Sequence, residues 1–204
     1  MKKLLLVLTL FGSTTAVAQS DLADIQNQWA VCQYQVAAKQ KESCLEQLSA
    51  VADKASAANG SRADLLIWSA IVKSSWAGEK GGLGALELAK EAKMKLELAI
   101  KLDAKALDGS AYTSLGALYY QVPGWPIGFG DDKQAELLLK QALQINPTGI
   151  DPNYFYGDFL IDQGHKAQGK LYLQKALAAP ARPGRELADK GRHQDIQQRL
   201  DTGQ

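Results

Sequence analysis

The sequence predicts an all-α fold, an α-solenoid of stacked helical hairpins with two glycine-rich insertions. Three observations carry this. No stretch alternates apolar and polar residues as a half-buried strand does. Apolar residues recur at helical spacing along nearly the whole chain. The breaks between helical stretches are short and marked by Gly, Pro and Asn. With 204 residues, 46% of them hydrophobic and 22% charged, the chain has globular composition, which excludes a wholly disordered polypeptide. Its size suits one domain or a short repeat array.

The first element is an address. Lys2 and Lys3 precede an apolar run from Leu4 to Phe11, and Ala16-Val17-Ala18 offers a small-residue cleavage site. Residues 1–18 therefore read as a secretory signal peptide, with the mature chain beginning near Gln19 and residing in the periplasm or outside the cell. The run is too short to span a bilayer, and no later stretch is long enough. No Cys stands at the cleavage point, so a lipid anchor is not expected. Removing Lys2 and Lys3 leaves 21 basic against 22 acidic side chains. A near-neutral chain has no basic field for nucleic acid.

Residues 19–60 read as a divergent N-terminal helical hairpin. Its helices are expected near 21–38 and 42–57, with Lys39-Gln40-Lys41 as the break. An exported chain with two cysteines most simply pairs them, so Cys32 and Cys44 are expected to staple this hairpin near its turn. The spacing is not the C-x-x-C of a redox-active pair.

From 61 to 180 the helical pattern repeats. Helices are expected near 62–77, 85–103, 110–121, 131–145, 152–163 and 166–178. Punctuation stands at Asn59-Gly60-Ser61, Gly78 to Gly84, Asp108-Gly109, Val122 to Gly130, Asn146-Pro147 and Pro180 to Gly184. The first copy places Leu65, Trp68-Ser69 and Val72 on one helix and Ala92, Leu96 and Ala99 on the next. The second places Tyr112, Leu115-Gly116 and Tyr119, then Ala135, Leu139, Ala142 and Pro147. The third places Tyr156-Gly157 and Leu160, then Gly164, Gly169, Leu173 and Ala176. Large residues followed by a small one on the first helix, with small residues where the second crosses it, resemble tetratricopeptide-type helical hairpins. The first and second copies need eleven and seven extra residues between their helices. Residues 181–204, with a helix near 185–200, read as a C-terminal capping helix. Its Arg182, Arg185, Arg192 and Arg199 interleave with Glu186, Asp189, Asp195 and Asp201, the pattern of a solvated face with i,i+3 and i,i+4 pairs.

The extra residues form the two insertions. Gly78 to Gly84 and Val122 to Asp132 together hold seven of the 18 glycines. Trp125, Ile127 and Phe129 are costly to leave in water, so they either pack on the stack or form a contact surface. In a tetratricopeptide stack the first helix of each pair lines the groove. That resemblance puts Ala70, Lys73, Ala117, Tyr120, Gln121, Asp158 and Ile161 there, with Trp125 at its edge and Tyr154 either at the edge or in the core. Phe129 belongs with Trp125 and Tyr120 to a small-ligand reading of the insertion. The partner- or ligand-binding candidates are accordingly Lys73, Tyr120, Gln121, Trp125, Phe129, Tyr154 and Asp158. They lack the Lys and Arg cluster that clamps a peptide carboxylate strongly.

A narrower resemblance rests on Tyr119-Tyr120-Gln121-Val122-Pro123-Gly124-Trp125-Pro126-Ile127-Gly128-Phe129-Gly130-Asp131-Asp132, on the run Gly149 to Leu160, and on Lys80-Gly81-Gly82-Leu83-Gly84-Ala85. These segments resemble the TatT-like family, the T components associated with TRAP-type periplasmic solute importers. The resemblance implies a helical repeat protein that forms a homo-oligomer, a trimer, and docks a periplasmic solute-binding protein.

Chemistry is sparse. Gly164-His165-Lys166-Ala167-Gln168-Gly169-Lys170-Leu171 misses a P-loop at its last position, and no strand precedes it. His165 and His193 have no partner at zinc-ligand spacing. Asp131-Asp132 precedes a helix, where acidic side chains complement the helix dipole. No nucleophile motif is present. The expectation is a non-catalytic protein with no cofactor and no metal, acting as an adaptor for another periplasmic protein. Alternatives are a module holding a small apolar or anionic ligand in the groove and at the 122–132 loop, or an envelope assembly scaffold.

Overall fold

The computed structural model describes residues 14–202. Its helices are α1 (Thr14–Tyr34), α2 (Ala38–Ala58), α3 (Ala63–Lys80), α4 (Gly82–Leu102), α5 (Ser110–Gln121), α6 (Asp132–Ile145), α7 (Ile150–Asp162), α8 (Lys166–Leu177) and α9 (Glu186–Thr202), with a 3-10 turn at Ala106–Gly109. Among the described residues there is no strand, only one isolated parallel bridge between Gly124 and Gly130. The expected signal peptide lies largely outside the described residues.

Consecutive helices pair as antiparallel hairpins: α1 with α2, α3 with α4, α5 with α6 and α7 with α8. Small residues set the close crossings. A Cβ on Gly116 of α5 would lie 2.7 Å from Leu139 Cγ in α6. A Cβ on Gly169 of α8 would lie 2.6 Å from the carbonyl oxygen of Gly157 in α7. The second glycine of the P-loop-like run is therefore a helix-crossing residue. The first, Gly164, supplies the positive φ of 83° that the α7–α8 turn needs.

Two breaks differ from the sequence expectation. Lys39-Gln40-Lys41 is helical, because α2 begins at Ala38 and the chain reverses over Gln35–Ala37 instead. The first insertion is taken up mostly as helix. α3 continues through Gly78 to Lys80 and α4 starts at Gly82, so Gly81 and Gly82, at φ of 66° and 63°, suffice for the reversal. The extra residues lengthen both helices rather than forming a loop. Cys32 and Cys44 are joined, Cα to Cα 5.6 Å, tying α1 to α2.

The core runs along the stack as layers. Leu45, Leu65, Leu96, Leu139, Leu173 and Ile196 are all essentially inaccessible. The last helix does more than cap. Ala188 packs in the first layer, with Leu22, Trp29 and Trp68, whereas Ile196 packs in the last, with Ile150, Ile161 and Leu173. α9 thus returns to α1 and joins the two ends of the solenoid. The Tyr34 hydroxyl donates to Asp195 Oδ2 at 2.9 Å across this junction.

Candidate functional site

The first helices of the hairpins, α3, α5 and α7, face inward, and α1 and α9 close the space in front of them. They line a partly open cavity of about 460 Å³, within the usual size of small-molecule sites. Trp29, Trp68, Ile71, Leu118 and Phe155 supply its apolar wall. α5 contributes a row of hydroxyls, Ser110, Thr113 and Ser114, and the end of the chain contributes three arginines, Arg182, Arg185 and Arg192.

Two of these arginines are held by carboxylates. Arg182 donates to Asp151 Oδ2 at 2.6 Å and to Asp189 Oδ1 at 2.7 Å, and its backbone N–H donates to Asp189 Oδ2 at 2.8 Å. Arg192 donates to Asp151 Oδ1 at 2.9 Å and to Asp195 Oδ2 at 3.0 Å. Burial disfavours the charged form of Asp151, but Arg192 and Arg182 outweigh it and hold the carboxyl below its ordinary range. Among the described residues no carboxylate hydrogen-bonds to Arg185. Its guanidinium carbon sits 4.7 Å from the centre of the Trp68 ring, a cation–π contact. Burial, then the neighbouring Arg182, push its pKa down to about 10.

The arginines correct one sequence reading. The basic–acidic alternation around α9 suggested a solvated face. The expected Arg192–Asp195 pair exists, yet Arg182, Arg185 and Arg192 line the cavity. Charge periodicity along one helix carries no information about α1 and α7, the elements it folds against. The signal available in the sequence was Pro180 to Gly184, which turns the chain back over its own inner face.

Of the candidates drawn from the sequence, the structure brings only Gln121 to this cavity, with Ala117 one turn before it. Lys73 is buried in a charge network. Its Nζ donates to Asp53 Oδ2 at 2.7 Å and Glu91 Oε2 at 2.6 Å, linking α2, α3 and α4. Burial alone would lower its pKa, and these two acceptors raise it instead. The Tyr120 hydroxyl donates to Asp158 Oδ2 at 2.7 Å, and Asp158 also pairs with Arg199 Nε at 2.5 Å. Burial and that carboxylate hold the Tyr120 phenol protonated well above its ordinary range. Tyr154 lies under Arg192, 4.4 Å from ring centre to guanidinium carbon. Lys73, Tyr120, Tyr154 and Asp158 thus join elements of the stack.

The second insertion separates its two aromatic candidates. Gly130 N–H donates to Pro123 O at 3.0 Å and Asp131 N–H to Tyr119 O at 2.8 Å, closing the loop at its base. A Cβ on Gly130 would stand 1.9 Å from Val122 O, so only glycine fits that base. The Trp125–Pro126 bond is cis. Asp131 caps α6, its side chain accepting from the N–H groups of Lys133 and Gln134. Phe129 turns inward, edge-on to Tyr119 with ring centres 5.6 Å apart. Trp125 turns outward and is 90% exposed, with Ile127 64% exposed near it.

Among the described residues no three His, Cys, Asp or Glu side chains are grouped to hold a metal ion. No described helix is long and apolar enough to cross a membrane.

No protein-family model matches the sequence, and no curated protein does either. The fold has solved counterparts. The crystal structure of a thermophilic TPR protein from Thermus thermophilus superposes with a TM-score of 0.60 at 18% identity, over 91% of this chain and 98% of that one.

The fold is tetratricopeptide-like. In a tetratricopeptide-like stack the inner face normally forms an open groove. Here α9 occupies one side of it and engages Asp158 and Tyr154 through Arg199 and Arg192, whereas Lys73 is taken up by Asp53 and Glu91 of α2 and α4.

Proposed function

We propose that the chain is an exported, non-catalytic tetratricopeptide-type adaptor that binds another protein in the periplasm through the 122–132 loop. The carrying observation is Trp125: a large indole, 90% exposed, on a loop whose base is hydrogen-bonded and whose Phe129 is anchored against Tyr119. Tryptophan dominates binding energy at protein interfaces when it enters a partner's pocket. A loop pinned at its base presents it at little entropic cost. Export is supported by the leader pattern at 1–18 and by the Cys32–Cys44 bond, which persists only outside a reducing compartment.

The sharpest form of this reading is docking to a solute-binding protein of a TRAP-type importer, with the adaptor as a homo-oligomer. Its support is the resemblance of 119–132 and 149–160 to the TatT-like family. The test is in-cell crosslinking of the tagged protein, followed by affinity capture and mass spectrometry of the periplasmic fraction. Recovery of one solute-binding protein, lost with Trp125→Ala, is the expected result. Recovery of assembly or cell-wall proteins instead would point to an envelope scaffold. Recovery of the protein alone would remove the adaptor reading.

A further inference from the structure

The wall of the inner cavity holds one strong donor group that the protein leaves unused. Asp151, Asp189 and Asp195 are engaged by Arg182, Arg192 and the Tyr34 hydroxyl, through the bonds given above and Tyr34's own at 2.9 Å. Arg185 donates no hydrogen bond to them, although the nearby charges of Asp151 and Asp189 partly offset the effects of burial and Arg182 on it. Its Nε is buried without a hydrogen-bond partner, and its only side-chain contact among the described interactions is the face of Trp68. A guanidinium carries five N–H donors in a planar fork that matches a carboxylate. Leaving a buried donor such as this Nε unpaired is costly, and an acceptor arriving with a ligand would recover that cost.

The surroundings say what kind of molecule the acceptor belongs to. The indoles of Trp29 and Trp68 line the same cavity as Arg185, with Ile71, Leu118 and Phe155. The hydroxyls of Ser110, Thr113 and Ser114 have no hydrogen-bonding partner among the described residues, and these three residues line the same space. Asp108 is the one acidic wall residue not engaged by an arginine. It stands on the 3-10 turn at φ of 54°, a conformation that Asp tolerates, beside Leu107 at φ of 49°, where a leucine is disfavoured. Both residues line the cavity, and strained backbone like that of Leu107 tends to occur at binding sites.

We propose that this cavity binds a small organic acid: a carboxylate that pairs with Arg185, on an apolar body that lies among Trp29, Trp68 and Phe155, with the α5 hydroxyls meeting its polar substituents. The size fits a single small molecule. Because α9 joins the ends of the stack, the cavity suits a compact ligand rather than an extended peptide. The site is separate from the Trp125 loop and stands whether or not that loop binds a protein.

The test uses the purified full chain and a matched series, hexanoate, 3-phenylpropanoate and indole-3-propanoate, each beside its uncharged primary amide. Binding is read by calorimetry and by the fluorescence of Trp29 and Trp68. The acids are expected to bind saturably, and their amides about tenfold more weakly or less, the scale of one charge-assisted hydrogen bond pair. Arg185→Gln should erase the acid's advantage over its amide, Arg185→Lys should restore part of it, and Trp125→Ala should leave it unchanged. The acid–amide comparison is made on the unaltered protein, so it stands even if an Arg185 variant fails to fold. Equal binding of acid and amide, no saturable binding of any acid at millimolar concentration, or full retention of the advantage in a folded Arg185→Gln protein would each overturn the proposal.

Discussion

Tyr34 of α1 lies directly on Gly191 of α9: a Cβ placed at the glycine would stand 2.3 Å from the Tyr34 ring carbon Cγ. This contact lets the first and last helices meet. Gly191→Ala is therefore expected to destabilise the protein by about 1–3 kcal/mol, through steric displacement of the ring. Helix propensity alone would favour alanine over glycine by about 1 kcal/mol at a helix interior. Urea unfolding separates the two effects by sign: a stabilised variant would show that α1 and α9 do not touch there.

Reduction should loosen the same end of the molecule. The Cys32–Cys44 bond closes a loop of sequence separation 12. By the chain-entropy model a loop of that size stabilises by about 3 kcal/mol. A Tm measured with and without dithiothreitol should fall on reduction, and the Cys32→Ser, Cys44→Ser double variant should match the reduced protein.

The two aromatic residues of the 122–132 loop should respond oppositely to truncation. Trp125 is 90% exposed, so Trp125→Ala should change stability by no more than about 0.5 kcal/mol. Phe129 packs edge-on against Tyr119 with Lys93 Nζ 5.8 Å from its ring centre. Phe129→Ala should cost about 1–3 kcal/mol, less than a fully buried phenylalanine because part of its ring is in water. Denaturant titration of the two variants checks this, and unfolding by Trp125→Ala would return that residue to the core.

Asp151 ties stability to acid. Its pKa is held below the unfolded value by Arg192 and Arg182, against the opposing effect of burial. Its contribution is therefore fully present above the unfolded aspartate value of about 3.9 and disappears as pH falls through the folded value. Stability should be level from neutrality down to about pH 5 and then decline. Asp151→Asn should flatten that acid limb and cost on the order of 2 kcal/mol at neutral pH. That is below the full cost of breaking a buried pair, because Arg182 keeps Asp189 and Arg192 keeps Asp195. An unchanged acid limb in the variant would assign the pH dependence to other carboxylates.

Helix order, hairpin pairing and the Cys32–Cys44 bond were legible, because each depends on spacing within a short stretch, while the ends of α2, α3 and α4 were not. Leu65, Leu96, Leu139 and Leu173 recur at helical register and are all buried. Gly116 and Gly157 fall where helices cross, and Asp131, expected to complement the helix dipole, caps α6 through its side chain. The binding candidates were less legible. Lys73, Tyr120 and Asp158 occupy groove positions by repeat register, but side chains from Asp53, Glu91 and Arg199 reach them from other helices.

Local pattern thus specified the all-helical stack and its turns, since helical periodicity, small residues at crossings and glycine at positive φ act over a few neighbouring residues. The return of α9 to α1 was settled by contacts far apart in the chain. Tyr34 meets Asp195 across 161 positions, and that closure carries Arg182, Arg185 and Arg192 into the cavity. A charged helix looks the same in sequence whether it faces water or an enclosed space, because its partners lie on distant segments brought near only by the completed fold.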